Sequence, residues 1–262
     1  SSSGVIAADV TGVGTARLGL AAASYGGDKA IFGYGDTGPE VSMTNLVNNS
    51  GVVSADVTGV GTARKALAAA GYGSTGQAIF GYGDTGSFSS LTNLVSNSGV
   101  VATDTTGVGT ARRYLGGAGY GTDKAIFGYG YNATAVTNLV SNTGVVSTDV
   151  SGVGSARHGL GAASYGTDKA IFGYGAGWTA VTNLVNSSGV VSADVTGVGT
   201  ARGEISAAAY GGDKVIFAYG YNDSGNLSMS NLVSNSGVVA SDVSGVGSAR
   251  SNLAAVGFSY SA

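Results

Sequence analysis

Short apolar runs separated by clusters of Gly, Asn, Asp and Ser follow one another along the whole chain. Near the N-terminus such runs cover residues 20–25, 29–35, 44–48 and 51–57, each five to seven residues long. Val, Ile, Phe, Tyr and Thr, which favour strands, dominate the last three runs, and the residues between the runs supply turns. No window has the i, i+3, i+4, i+7 spacing of an amphipathic helix. The pattern therefore predicts an all-β protein with four strands in each repeat.

Three phrases recur in register and define the repeat. Gly-Val-Gly-Thr/Ser-Ala-Arg occurs six times, and Ile-Phe-Gly/Ala-Tyr-Gly and Asn-Leu-Val occur five times each. The six arginines that end the first phrase are spaced by 47, 48, 45, 45 and 48 residues. This period falls in the range of propeller-blade repeats. No linker or shift in composition separates the repeats, so residues 1–262 are predicted to form a single domain.

Four strands repeated at this period are typical of a β-propeller. Residues 4–22 closely match residues 237–255. This overlap favours a ring closed by the terminal strands over the alternative, a linear β-solenoid. Five copies of the second and third strands predict five four-stranded blades. The extra copy of the fourth and first strands leaves open a six-bladed or incomplete ring, whose last blade lacks its two middle strands.

The composition narrows the class of protein. Glycine accounts for 48 of the 262 residues, but the single proline excludes collagen. The absence of cysteine excludes disulfides and Cys-based zinc sites, and one histidine excludes a His pair for a metal. A net charge of −3 indicates no basic surface for nucleic acid, and no apolar run approaches the roughly 20 residues that span a bilayer. We therefore expect no metal, cofactor, nucleic acid or membrane insertion.

An aspartate lies eight residues before each arginine of the repeated phrase. A catalytic group would normally occur once, whereas these charges recur in every repeat. We therefore expect each Asp to cap a turn or to pair with an Arg and so hold neighbouring blades together. The residues of this predicted structural set are Asp9, Arg17, Asp56, Arg64, Asp104, Arg112, Asp149, Arg157, Asp194, Arg202, Asp242 and Arg250.

Enzymatic signatures are sparse, so no catalytic residue is predicted. His158 is the sole histidine, and no nucleophile-elbow phrase accompanies it. The Gly-x-Gly phrases are followed by no helical pattern, so they do not indicate a nucleotide site. An enzyme remains the third and least favoured class of function.

The repeated phrases resemble the kelch repeat. Gly-Val-Gly-Thr-Ala-Arg is followed by an Ala-rich strand and then by Asp-Lys-Ala-Ile-Phe-Gly-Tyr-Gly at residues 28–35. The chain departs from the family because Tyr34 interrupts the glycine pair and because Trp178 is the only tryptophan. The Ser/Thr/Asn/Gly-rich repeats are also similar to those of bacteriophage tail or appendage proteins, particularly marine ones. That resemblance implies a location on a virion or an extracellular surface.

Variation between the repeats is confined to two windows. The first follows Gly-Tyr-Gly, and the second follows each repeated arginine. The first window covers residues 36–43, 84–90, 131–135, 176–180 and 221–229. Its aromatic rings suit stacking on sugar faces, and its Asp and Asn side chains suit hydrogen bonds to hydroxyls. The candidate ligand-binding residues are Asp36, Asp84, Phe88, Tyr131, Asn132, Trp178, Tyr221 and Asn222.

Two classes of function fit these features. The first is an adhesive or receptor-binding module, directed at a host surface glycan, on a phage virion or cell-surface appendage. The second is a structural component of a tail or fibre that assembles with other virion or appendage proteins or with copies of itself. The windows are also open to a third interpretation, in which they are loops that vary under weak constraint. Because the sequence begins at Ser1, we expect a processed chain or a part of a longer one.

Overall fold

The computed structural model describes residues 1–132 and 134–258, and these residues contain strands but no helix. The strands are β1 (Ala21–Tyr25), β2 (Lys29–Asp36), β3 (Glu40–Val47), β4 (Ala68–Tyr72), β5 (Gln77–Asp84), β6 (Phe88–Val95), β7 (Gly116–Tyr120), β8 (Lys124–Gly128), β9 (Thr137–Val140), β10 (Gly161–Tyr165), β11 (Lys169–Gly175), β12 (Thr179–Val185), β13 (Ser206–Tyr210), β14 (Lys214–Ala218), β15 (Tyr221–Asn222), β16 (Gly225–Asn226) and β17 (Ser230–Val233). Within the described ranges, no helix has the length and hydropathy needed to cross a membrane.

Five three-stranded antiparallel sheets repeat along the chain. They are β1-β2-β3, β4-β5-β6, β7-β8-β9, β10-β11-β12 and β13-β14-β17, and β15 and β16 form a small separate hairpin in the last repeat. In the first sheet Ile31 pairs with Ala23 on one side and with Leu46 on the other. The other four sheets have the corresponding register. The prediction of an all-β chain built from repeated antiparallel strands is thus confirmed.

The predicted fourth strand is held by only two isolated bridges in each repeat. In the first repeat Val53 bridges Val47 and Val57 bridges Thr44, and the same two bridges recur in the other four repeats. Between them the Leu46 N–H donates to the Ser54 hydroxyl at 3.0 Å, where a regular ladder would have a backbone carbonyl as acceptor. The fourth segment therefore runs beside the third strand without becoming a continuous strand.

The hydrophobic core lies between successive sheets. Between the first two sheets, Ile31 and Tyr34 of β2 pack with Phe80 of β5, and all three side chains are fully buried. Glycine makes this contact feasible, because Phe80 Cζ lies 2.6 Å from the position that a Cβ on Gly33 would occupy. The three later interfaces repeat the arrangement with Gly81 against Phe127, Gly128 against Phe172 and Gly173 against Phe217.

The N-terminal and C-terminal segments lie against each other. The Gly19 N–H donates to the Asn252 carbonyl at 3.0 Å. The Asp9 carboxylate accepts hydrogen bonds from the Ser248 N–H at 2.9 Å, the Ser248 hydroxyl at 2.8 Å and Arg250 Nη1 at 2.9 Å. These contacts join residues of the first and last repeats, which are more than 230 positions apart in sequence.

Candidate binding rim

Five of the six repeated arginines lie in the interior of the structure, and each is held by the hairpin that follows it; the sixth, Arg250, has a side chain that is 41% exposed. Arg64 is fully buried, and it donates from Nε to the Tyr82 carbonyl at 2.8 Å and from Nη2 to Asn93 Oδ1 at 2.6 Å. Its Nη1 donates to the Thr62 carbonyl at 3.1 Å. Burial lowers the pKa of Arg64, but an arginine remains charged at neutral pH. The planar guanidinium thus joins three segments of backbone and side chain at one point.

Five of the six repeated aspartates contact the arginine phrase that precedes them in sequence, rather than the arginine eight residues later. The Asp56 carboxylate accepts from the Thr15 hydroxyl at 2.6 Å, from the Thr15 N–H at 3.0 Å and from Asn45 Nδ2 at 2.9 Å. Arg17 Nη1 lies 3.8 Å from Asp56 Oδ1. Arg64, which follows Asp56 by eight residues, instead has its Nη1 3.9 Å from Oδ1 of Asp104, the aspartate of the next repeat. The hydrogen bonds from Thr15 and Asn45 lower the pKa of Asp56. The aspartate therefore ties the phrase that leads into a sheet to the fourth segment beside the third strand of the same sheet.

The same contact pattern extends through the remaining members of the predicted structural set. Asp104, Asp149, Asp194 and Asp242 accept from Thr62, Thr110, Ser155 and Thr200, which belong to the phrases of Arg64, Arg112, Arg157 and Arg202. Asp9 accepts from the phrase of Arg250. The charges of the repeat are engaged with one another and with polar groups of the scaffold.

The two variable windows lie on one edge of the structure, which we call the variable rim. Leu18 forms a bridge with Asp36, and Lys65 forms the corresponding bridge with Asp84. In the third repeat the Tyr131 N–H donates to the Arg113 carbonyl at 2.8 Å. From the first window, the rim comprises residues 36–43, 84–90, 131–132, 134–135, 176–180 and 221–229. From the second window, it comprises Lys65, Arg113, Tyr114, His158 and Glu204. Ala133 lies outside the described residues. Sequence alone left the relative position of the two windows open.

Arg113 is the centre of an aromatic cluster on the variable rim. Its Cζ lies 4.9 Å from the ring centroid of Tyr131 and 5.3 Å from that of Phe88, and it forms an ion pair with Asp84. Its Nε is buried and has no hydrogen-bond partner among the described residues. The ring of His158 lies 4.9 Å from that of Tyr131, edge to face. Burial, and next the charge of Arg113, lower the pKa of His158, so this imidazole is neutral at pH 7.

Trp178 and Tyr221 form a second aromatic cluster on the same rim. Their ring centroids are 5.6 Å apart, and Trp178 Nε1 donates to Asp223 Oδ1 at 2.7 Å. Trp178 has a φ of +46°, a conformation that is strained for a bulky side chain. Tyr221 is 39% exposed and Tyr131 in the first cluster is 38% exposed. Two large aromatic rings are therefore accessible on this rim, each beside charged groups.

The polar candidate residues differ in the hydrogen bonds and ion pairs that they already form within the protein. Asp36 pairs with Lys65 and accepts from the Gly38 N–H at 2.6 Å. Asn222 donates to the Ala201 carbonyl at 3.4 Å and accepts from the Ser224 N–H at 2.9 Å, whereas Asn132 is exposed. No group of three potential metal ligands occurs in the part of the chain that the structure describes.

Sequence reasoning did not place Arg113, His158 or Asp223 among the site residues. All three lie in the variable windows, which is the signal that points to them. Only the structure shows that these residues contact aromatic rings of neighbouring repeats. Asp223, for example, accepts a hydrogen bond from Trp178, which is 45 residues away in sequence.

Comparison with known proteins finds no family model that matches the chain and no curated protein with a similar sequence.

Proposed function

We propose that the chain forms a propeller-like ring with six positions, five of which hold the three-stranded sheets while the terminal segments share the sixth. Support comes from six residues that follow the repeated arginines by two positions and line one cavity of about 90 Å³. They are Gly19, Ala66, Tyr114, Gly159, Glu204 and Asn252. Backbone hydrogen bonds join neighbours in this set, as from Ala66 to Gly19 at 2.7 Å and from Gly19 to Asn252 at 3.0 Å. These contacts favour the incomplete six-position ring over five blades.

We further propose that the protein is a non-catalytic module that binds a surface glycan through the variable rim. The observation that carries this proposal is the pair of accessible aromatic clusters, one around Tyr131 and one around Trp178 and Tyr221. Sugars present an apolar face and a circle of hydroxyls, and exposed aromatic rings beside carboxylates and amides suit both. Asp223, Asn132 and Asn222 supply polar groups next to the rings.

The repeated charges support a non-catalytic function, because their contacts lie within the scaffold. A general acid or base needs a group whose proton is available to a substrate. On the variable rim, Asp36 and Asp84 are each paired with a cation. The proposed location, a phage virion or another extracellular surface, rests on the resemblance of the repeats to those of phage tail and appendage proteins.

A glycan array probed with the intact protein tests the proposal. We expect binding to a restricted set of surface polysaccharides, and we expect it to fall by about tenfold or more in Trp178→Ala and in Tyr131→Ala, because each loses a stacking surface. Lys124→Ala, at the first position of β8 and outside the rim, is the matched control and should bind normally. A folded protein that binds no glycan would contradict the proposal.

Assembly with other polypeptides is a second candidate function. It is favoured by the outer faces of the first and last sheets, where Phe32 and Ile216 are partly exposed although their counterparts in other repeats are fully buried.

A further inference from the structure

We propose that the sixth position of the ring binds a two-stranded β-hairpin supplied by a partner polypeptide. The binding surface, which we call the sixth-position cleft, consists of residues whose counterparts in the other repeats contact a neighbouring hairpin: Val10 and Val13 of the N-terminal segment, Phe32 of the first sheet, Ala218 of the last sheet and Arg250. This inference rests on the six-position arrangement, and it is independent of glycan binding by the variable rim.

Arg250 has donors directed to such a hairpin. Each of its five counterparts donates from Nε to a tyrosine carbonyl and from Nη2 to an asparagine Oδ1 of the hairpin that follows it, at 2.6–2.8 Å. Among the described residues Arg250 donates only from Nη1, to Asp9 and to the Ser248 carbonyl. Its side chain is 41% exposed, against 0% for Arg64. A hairpin with a carbonyl and an asparagine in the same two places would satisfy Nε and Nη2.

The chain segments beside the cleft offer backbone groups for pairing. Val10 corresponds to Val57, which bridges the third strand of its sheet and is 44% exposed. Val10 is 88% exposed and forms no bridge with any residue that the structure describes. On the other side, residues 253–257 stand where the other repeats have their first strand but are in no sheet of the described chain. An added hairpin gains main-chain hydrogen bonds by pairing with edges of this kind.

The flanking sheets present apolar surface to the cleft. Phe32 is partly exposed, whereas its counterparts Phe80, Phe127, Phe172 and Phe217 are fully buried against the preceding sheet. Ile216 is partly exposed, whereas its counterparts Ile31, Ile79, Ile126 and Ile171 are fully buried. The two faces lie on opposite sides of the same position, so one hairpin between them would cover both and remove apolar area from water.

Ala218 argues against one of this chain's own hairpins as the occupant. It stands where the other repeats have Gly33, Gly81, Gly128 and Gly173, and there a Cβ would lie 2.6–2.9 Å from a Phe ring atom of the next hairpin. All five hairpins of the chain carry Phe at that place. The methyl group of Ala218 would therefore overlap with the ring of a sixth copy. The fitting occupant has a smaller residue there, which no hairpin within residues 1–262 carries, so its sequence differs from that of a second copy of these residues.

Fluorescent peptides titrated with the intact protein test the proposal. The probes are a peptide of residues 168–186, which is the hairpin of the fourth repeat, and the same peptide with Phe172→Ala. We expect the Phe172→Ala peptide to bind about tenfold more tightly, because it avoids Ala218. Adding Asn183→Leu to that peptide should weaken binding by about tenfold, because a hydrogen bond to a charged group is lost.

Protein variants supply the matched controls. Arg250→Met should weaken binding of the Phe172→Ala peptide by about tenfold, and Ala218→Gly should let the unchanged peptide bind as tightly as the substituted one. Trp178→Ala should leave peptide binding unchanged while it lowers glycan binding, so that failure of one proposal is separated from failure of the other. Circular dichroism checks that each variant is folded.

The proposal is overturned if neither peptide binds the folded protein at about 1 mM, a concentration that detects even weak association. Equal affinity of both peptides together with no effect of Arg250→Met would also overturn it. Sedimentation of the protein alone gives a further check. A dimer that dissociates in Arg250→Met would assign the cleft to a second copy and contradict the assignment to a different polypeptide.

Discussion

The tyrosine of the Gly-Tyr-Gly phrase shows how a single residue stabilises the contact between repeats. Tyr82 has a φ of 65°, a left-handed conformation that costs an L-residue roughly 1–2 kcal/mol. Its ring is fully buried, its hydroxyl donates to the Val108 carbonyl at 3.1 Å, and the guanidinium of Arg112 lies 4.3 Å from the ring centroid. Glycine would fit the backbone without strain but would lose these contacts. The aromatic side chain therefore explains why the glycine pair is interrupted.

The buried arginines should not tolerate lysine. In Arg112→Lys, one ammonium replaces a guanidinium that donates to the Tyr129 carbonyl at 2.8 Å and to Asn138 at 2.7 Å, and its charge stays buried. We expect the free energy of unfolding to fall by about 3–5 kcal/mol. Chemical denaturation followed by circular dichroism measures the change.

Arg250→Lys is the matched control for this prediction, since Arg250 occupies the same place in the phrase with an exposed side chain. Its effect on stability should be much smaller. Equal losses in the two variants would show that burial of the guanidinium is not what makes the arginine important.

At the level of the strands, glycine at the end of Ile-Phe-Gly is required by the next sheet. A methyl group on Gly81 would stand 2.9 Å from Phe127 Cζ, inside van der Waals contact. We expect Gly81→Ala to lower the free energy of unfolding by about 1–3 kcal/mol through overpacking. Thermal and urea unfolding of the purified variant test this.

Ala218→Gly is the complementary substitution, because Ala218 holds the same place in the last three-stranded sheet, which no further sheet of the described residues follows. It should cost only about 0.5–1 kcal/mol, the usual effect of glycine within a strand. If Gly81→Ala proved as mild, the close packing of successive sheets would not be the reason for the glycine.

The strands also show how far local pattern reasoning extends. The predicted hairpin of the first and second strands agrees with β1 and β2, because alternation and turn residues act within a few positions. The third strand begins at Glu40 rather than at Thr44, and the fourth segment forms only bridges. In the first repeat the Leu46 N–H takes the Ser54 hydroxyl in place of a backbone acceptor, a choice of partner that composition does not reveal.

At the level of the whole molecule, the contact between the two terminal segments should depend on pH. The hydrogen bond from the Ser248 N–H and the side chain of Arg250 lower the pKa of Asp9 to about 2, from an ordinary value of 3.8. Because the pKa is lower in the folded state, the stabilisation is complete above the ordinary value and is lost as the pH falls through about 2. We expect the Ser248 amide, which donates to Asp9, to lose hydrogen-exchange protection over this range.

The control for this prediction is Asp9→Asn, which should exchange rapidly at Ser248 throughout and show no such pH dependence. The corresponding contact of Asp56 with Thr15 provides an internal comparison in the same protein. If the Ser248 amide were equally protected at pH 5 and pH 1.5, the ionised Asp9 carboxylate would not be what holds the two terminal segments together.

The repeat, its period, the all-β character and the two variable windows follow from the amino-acid order, because they depend on composition and spacing over fewer than 50 residues. The partners of the repeated charges do not. Asp56 lies eight positions from Arg64 but contacts the phrase of Arg17, since the fourth segment runs beside the third strand of the sheet that follows Arg17 and so brings residues about 40 positions apart together. The packing of successive sheets gathers Arg113, Tyr131 and His158 on one rim and leaves Arg250 exposed at the junction of the termini. These distances are set by how whole sheets meet, and no local pattern records them.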